Sequence, residues 1–231
     1  MAFQIGFLLF PDITQLDMTG PYEVFAKLPG AKIHLVWKTL DPVKAGGGMQ
    51  ILPTITFADC PKLDLICVPG GGGVNALMND AEVLAFVKRQ AEGARYVTSV
   101  CTGALVLGAA GLLEGKRAAT YWMARDMLPA FGATPVNDRV VIDGNVITGG
   151  GVTAGIDFAL VVVAHVFGED QAKAIQLGIE YNPHPPFDAG SPDTAGEALV
   201  AKLRTAASER QTQRRAAVDA AAARLRATRR L

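Results

Sequence analysis

Of the three cysteines in this 231-residue chain, Cys101 is the one whose position suits a working thiol. It follows the β-rich run RYVTSV (Arg95–Val100) and precedes the helical pattern TGALVLGAA (Thr102–Ala110), which Gly111 closes. In an open parallel sheet, ligands bind beyond the carboxyl ends of the strands. A residue at a sharp strand-to-helix turn there is presented as the nucleophile elbow of a serine hydrolase presents its serine. The turn is expected to lift the thiol towards solvent, at some cost in backbone strain. The helix that follows adds partial positive charge, which favours thiolate over thiol. Most free cysteines are small buried hydrophobes. Cys60, in the loop ADCP, and Cys67, inside an apolar run, read that way; the placement of Cys101 argues for more.

A reactive thiolate needs a proton-handling partner and a group that stabilises charge on its substrate. Asp17, in QLDMTGPYE, follows the first apolar run and can come to the same sheet edge. An ordinary helix N-cap, with Pro21 just inside, is the other reading of Asp17, and spacing alone leaves both open. Glu23, a turn and a half further along, is less suited to face the site. The glycines at 70–73 follow an apolar strand and can let backbone N–H groups approach a ligand closely. A dinucleotide fingerprint starting at Gly70 would need a glycine at position 75, which is Asn75, and the Gly-Lys-Ser/Thr ending of a phosphate loop is absent. An oxyanion-type or anion-type pocket is therefore the favoured reading, with a purely structural turn as the alternative. His34, His165 and His184 lie in a strand, an apolar helix and a proline-rich stretch, where histidine is usually structural. Neither the histidines nor the cysteines have metal-ligand spacing.

The elements that must position these residues alternate between strand and helix. Short apolar runs at 3–10, 32–38, 64–69 and 95–100 each end near glycine or proline and lead towards helical patterns. Helices are expected from about Gly20 to Leu28, around 74–78, over 81–92 and over 153–167, with strands near 140–142 and 146–148. That alternation predicts an α/β fold with a mostly parallel sheet and helices on both faces. Residues 1–192 read as one α/β domain. A proline- and glycine-rich connector, NPHPPFDAGSP, leads into residues 193–231, an alanine- and arginine-rich helical extension packed on the same domain or on a second subunit.

Composition limits the partners. Lysine plus arginine and aspartate plus glutamate each number 22, so no overall field recruits nucleic acid or an anionic membrane. Residues 202–231 do carry Lys202 and eight arginines against Glu209 and Asp219, but a solvated helical face explains them without nucleic acid. The apolar run at 3–10 is too short to span a bilayer and reads as a buried strand rather than a leader. With so few cysteines, a reducing cytoplasm is the expected setting.

With Cys101, Asp17 and the glycine run in place, the chain resembles the ThiJ/PfpI superfamily. The stretches that carry the resemblance are FLLFPDITQLDMTGPYEVF, FADCPKLDLICVPGGGGVNALM, ARYVTSVCTGALVLGAAGLLEGKRAATYW, GNVITGGGVTAGIDFAL and IQLGIEYNPHPPFDAGSPDTA. They run from residue 7 to residue 195. Similar segments occur in the sensor domains of AraC-type regulators; the EYNPHPPFDAGSPDTA tract points instead to the branch that hydrates isocyanides. The resemblance implies a flavodoxin-like fold of the class I glutamine amidotransferase kind and a homodimer without metal or organic cofactor. It also implies a lyase reaction in which an isocyanide and water give an N-substituted formamide through a thioimidate on Cys101. On this reading Asp17 is the acidic partner and Thr102 a hydrogen-bonding neighbour. Backbone amides near Gly71, Gly72 and Thr102 line the pocket, and the Val152 amide donates to the Cys101 sulfur. Thr102 stands where PfpI-type proteases have histidine, and Tyr121 where many relatives have histidine, which sets aside a relay through that position and alters the pocket wall. The alternatives are a glyoxalase or deglycase on the same scaffold, and a cysteine-based redox or ligand sensor.

Overall fold

The computed structural model describes residues 2–228. Seven strands form the main sheet: β1 (Phe3–Leu8), β2 (Ala31–Trp37), β3 (Ile55–Thr56), β4 (Leu65–Val68), β5 (Tyr96–Val100), β6 (Val140–Asp143) and β7 (Val146–Gly149). Their spatial order is β6-β7-β5-β4-β1-β2-β3. Every neighbouring pair is parallel except β6–β7, a hairpin in which Asp143 faces Val146. The order reverses direction at β1, and the central strands β4 and β7 are buried along their whole length, as a sheet covered on both faces requires.

The helices are α1 (Gln15–Phe25), α2 (Ala81–Gly93), α3 (Gly103–Ala109), α4 (Ala154–Phe167), α5 (Glu169–Gly178), α6 (Glu197–Ala206) and α7 (Ser208–Thr228). Two single helical turns, Val74–Leu77 and Pro192–Ala195, and a 3₁₀ segment, Trp122–Phe131, complete the frame. Helix α1 packs on α4 and α4 on α5, while α7 lies against α3, the Val74–Leu77 turn and the 3₁₀ segment. Phe7, Phe10, Phe25, Phe86, Phe131 and Phe158 are fully buried between these layers. Each contributes about 1.5–3 kcal/mol of hydrophobic stabilisation.

Helix α1 begins five residues before the expected Gly20, with Thr14 at its N-cap. Glycine and proline in the middle of QLDMTGPYEVF suggest a start, not an interior. The packing of Pro21 against Gly155 of α4 overrides that local preference. The earlier start puts Asp17 in the first turn of α1, beyond the N-cap position.

Candidate active site

Cys101 joins β5 to α3 with φ +57°, a conformation that costs a non-glycine residue energy. Hydrogen bonds on both sides hold it there. Its N–H donates to the carbonyls of Gly149 (3.1 Å) and Gly150 (2.8 Å), and its own carbonyl accepts from Thr120 Oγ1 at 2.8 Å. Gly103 makes the turn possible: a Cβ there would lie 1.9 Å from the Val68 carbonyl oxygen, so only glycine lets α3 start against the end of β4. The expected sharp strand-to-helix turn is present.

The expected exposure is not. Cys101 is only 5% exposed, because α7 packs over the start of α3 and roofs the sheet edge. The sulfur's residue instead lines a pocket of about 210 Å³, together with Thr102, Gly71, Gly72, Tyr121 and Val152. Thr14, Arg210 and Arg214 complete its wall. A larger groove, about 900 Å³, runs between the 3₁₀ segment and α7, but it contains no cysteine.

Asp17 is completely buried behind Cys101. Its Oδ2 accepts from the Gly70 N–H at 2.9 Å, so it caps no helix. Its Oδ1 makes no geometrically complete hydrogen bond, and the neighbouring side chain that acts on the carboxyl is the Cys101 thiol. Burial dominates its chemistry, pushing the Asp17 carboxyl from 3.8 up to about 7 against the opposing pull of Cys101 and the Gly70 amide. Glycine at position 70 is what permits this approach: a Cβ there would meet Asp17 Oδ2 and the Thr102 nitrogen, both at 2.6 Å.

The Cys101 thiol is pushed well above its usual range, first by burial and then by the nearby Asp17 carboxylate. The Thr102 amide and the Arg214 charge pull the other way. The helix start therefore helps the thiolate as expected, but burial outweighs it. Carboxyl and thiol behave as one coupled pair that holds a proton between them around neutral pH. The backbone N–H that acts on the sulfur is that of Thr102, and Val152 lies in the wall of the same pocket.

The glycine run does a different task from the one expected. Its amides are already engaged: Gly70 to Asp17, Gly71 to Thr102 Oγ1 at 3.1 Å, and Gly72 to the Asp12 carbonyl at 2.9 Å. These N–H groups hold the acid and the threonine in place and are not free oxyanion donors. Glu23 is exposed and pairs with Lys27, and His34 and His165 are occupied by Gln4 and the Tyr96 ring. Burial raises Cys60 to about 11 and Cys67 to about 12, in keeping with structural roles. Among the described residues, no group of three or more His, Cys, Asp or Glu is placed to hold a metal ion, and no helix is long and apolar enough to cross a membrane.

Three pocket residues were not anticipated from the sequence: Thr14 at the N-cap of α1, and Arg210 and Arg214 of α7. Arg214 is only 4% exposed; its Nε donates to Asn75 Oδ1 at 3.2 Å and its Nη2 to the Gly71 carbonyl at 3.5 Å. A signal was present. Arg214, Val218, Ala221 and Ala222 form the buried stripe of α7 at helical spacing, and a lone arginine at the head of an apolar stripe points inwards.

Comparison with known proteins agrees with this geometry. The family model described as the DJ-1/PfpI family matches residues 4–165. An isonitrile hydratase of Pseudomonas putida is 59% identical over 225 residues, covering 97% of this chain and 99% of that protein. An HTH-type transcriptional regulator of Pseudomonas aeruginosa, GbdR, is 31% identical over 180 residues, covering 74% of this chain but 48% of its own length. Among solved structures, a ThiJ/PfpI family protein from Pseudomonas syringae superposes with a TM-score of 0.91 at 45% identity, covering 96% of this chain and 91% of that one. A flavodoxin-like sheet with a cysteine at its carboxyl edge and a sequence match over most of its length place this chain in the DJ-1/PfpI family.

Proposed function

We propose that this chain hydrates isocyanides to N-substituted formamides, with Cys101 as nucleophile and Asp17 as the acid and base. The observation that carries the reading is the fully buried Asp17 carboxyl beside the Cys101 thiol at the wall of a small pocket. The near full-length likeness to an isonitrile hydratase supports it.

The terminal carbon of R–N≡C is electrophilic, and it is also the atom that must gain hydrogen. The reactive form of the pair is thiolate with neutral Asp17. Sulfur bonds to the terminal carbon while the Asp17 proton moves to that same carbon, giving a thioimidate, R–N=CH–S–Cys101. The Asp17 carboxylate then takes a proton from water as its oxygen adds to the carbon, and passes that proton to nitrogen. The C–S bond breaks, sulfur recovers its electron pair, and the hydroxyl proton returns to Asp17 as the formamide leaves. One proton site thus serves three steps, a task suited to a carboxyl held near neutrality. Thr102 fixes the Gly71 edge of the pocket, and Gly71, Gly72, Tyr121 and Val152 supply walls for the substituent R. We further infer a cytoplasmic homodimer whose C-terminal extension, through its described residues 193–228, packs on the α/β body and closes the site with α7.

The test is brief exposure of purified protein to an alkyl isocyanide, and separately to methylglyoxal, followed by intact-mass and product analysis. Formamide from the isocyanide, with a substrate-mass adduct that Cys101→Ser lacks, is the expected result. Lactate from methylglyoxal with no formamide would assign the glyoxalase reaction instead.

A further inference from the structure

The wall of the pocket carries two guanidinium groups and no carboxylate. Arg210 and Arg214 both line it, whereas Asp17 is sealed behind the sulfur. Neither arginine forms an ion pair with a carboxylate among the described residues. Arg214 is almost fully buried, yet its protein acceptors are two neutral oxygens, those of Asn75 and Gly71, and both are reached through Nε and Nη2. Its Nη1 has no protein acceptor among the described residues. A buried guanidinium is stabilised when an anion balances it, and its planar fork matches a carboxylate with two parallel hydrogen bonds. Burial holds Cys101 as the neutral thiol at rest, and sulfur is neutral again once it is bonded to carbon, so it is a poor counter-charge for Arg214. A carboxylate on the substrate supplies that counter-charge during turnover.

We infer that Arg214, assisted by Arg210 one turn before it on α7, forms an anion subsite, so that the isocyanides turned over here carry a carboxylate. This rests on the hydratase reading for the reacting end of the substrate; the subsite itself follows from the lining of the pocket. A volume of about 210 Å³ suits a small carboxylate rather than a bulky phosphate ester.

The subsite can be tested without turnover. Cys101 alkylation is followed by peptide mass with iodoacetate and with iodoacetamide, which differ in the anionic group, in the wild type, Arg214→Met and Arg210→Gln. The ratio of the two rates is expected to fall about tenfold in Arg214→Met and about threefold in Arg210→Gln, as loss of a charge-assisted hydrogen bond implies. Equal slowing of both reagents would show that Arg214 acts on the sulfur alone and would overturn the subsite, as would an unchanged ratio. Should Arg214→Met fail to fold, protection of wild-type Cys101 by benzoate but not by benzamide is the expected result, and equal protection by the two overturns the proposal. Turnover of isocyanoacetate against its methyl ester completes the test. A higher kcat/KM for the acid in the wild type, lost in Arg210→Gln, supports the subsite; equal values sink it. If neither compound is hydrated while the alkylation ratio behaves as expected, the hydratase reading fails and the anion site stands.

Discussion

Replacing Asp17 by asparagine should stabilise the protein and disable it, in a way that depends on pH. Folding moves this carboxyl from 3.8 to about 7 because it is completely buried, with the Gly70 N–H and the Cys101 thiol as its opposing influences. At about 1.4 kcal/mol per unit, ionising it inside the fold costs on the order of 4 kcal/mol, and relaxation of the pocket brings the measurable figure to about 2–4 kcal/mol. The sign follows from the raised value. Below pH 3.8 the group is protonated whether the chain is folded or unfolded, and it costs nothing. Between 3.8 and about 7 the unfolded chain ionises first, so stability falls as pH rises, and above about 7 the loss is complete. Asparagine is neutral throughout and escapes that loss. Each kcal/mol is worth about 2–4 °C in a chain of this size, so Asp17→Asn should melt at least about 5 °C above the wild type at pH 8 and level with it below pH 4. Calorimetric melts across that range are the assay. Parallel curves for the two proteins would refute the buried, neutral carboxyl. In the same variant kcat/KM should drop by about 10²–10⁴, and the acidic limb near pH 7 should vanish.

Two further substitutions probe the frame around the pair. Thr102→Val removes the oxygen that accepts from the Gly71 N–H and leaves that donor buried without a partner, a loss of about 1–3 kcal/mol readable by denaturant titration. Turnover should fall with it as the Gly71 edge shifts; an unchanged midpoint would show that the threonine hydroxyl carries no structural weight. Gly103→Ala places a carbon 1.9 Å from the Val68 carbonyl oxygen, and the displacement of α3 should cost about 3 kcal/mol. A wild-type melting temperature in that variant would contradict the close approach of α3 to β4.

Much of the frame was legible in the residues. Fully apolar runs such as LICV and VITG are buried because a parallel sheet is covered on both faces, and the cysteine between RYVTSV and a helical pattern had to lie at the carboxyl edge of that sheet. Asp17 was recognisable as a candidate but not separable from a helix cap. Its role was decided by the start of α1, which depends on Pro21 meeting Gly155, a contact 134 residues apart in the chain. The glycine run was legible as a close approach, yet what its amides bind was not, because their partners Asp17, Thr102 and Asp12 are distant in sequence.

Residue types and periodicity thus determined the strands, the turn and the thiol, all of which rest on local preference and on burial patterns. The tertiary structure alone decided how protons and charge are distributed around the sulfur. Burial and electrostatic coupling depend on what the rest of the chain brings near a group: α7 roofs Cys101 and carries Arg210 and Arg214 into its pocket from more than a hundred residues away.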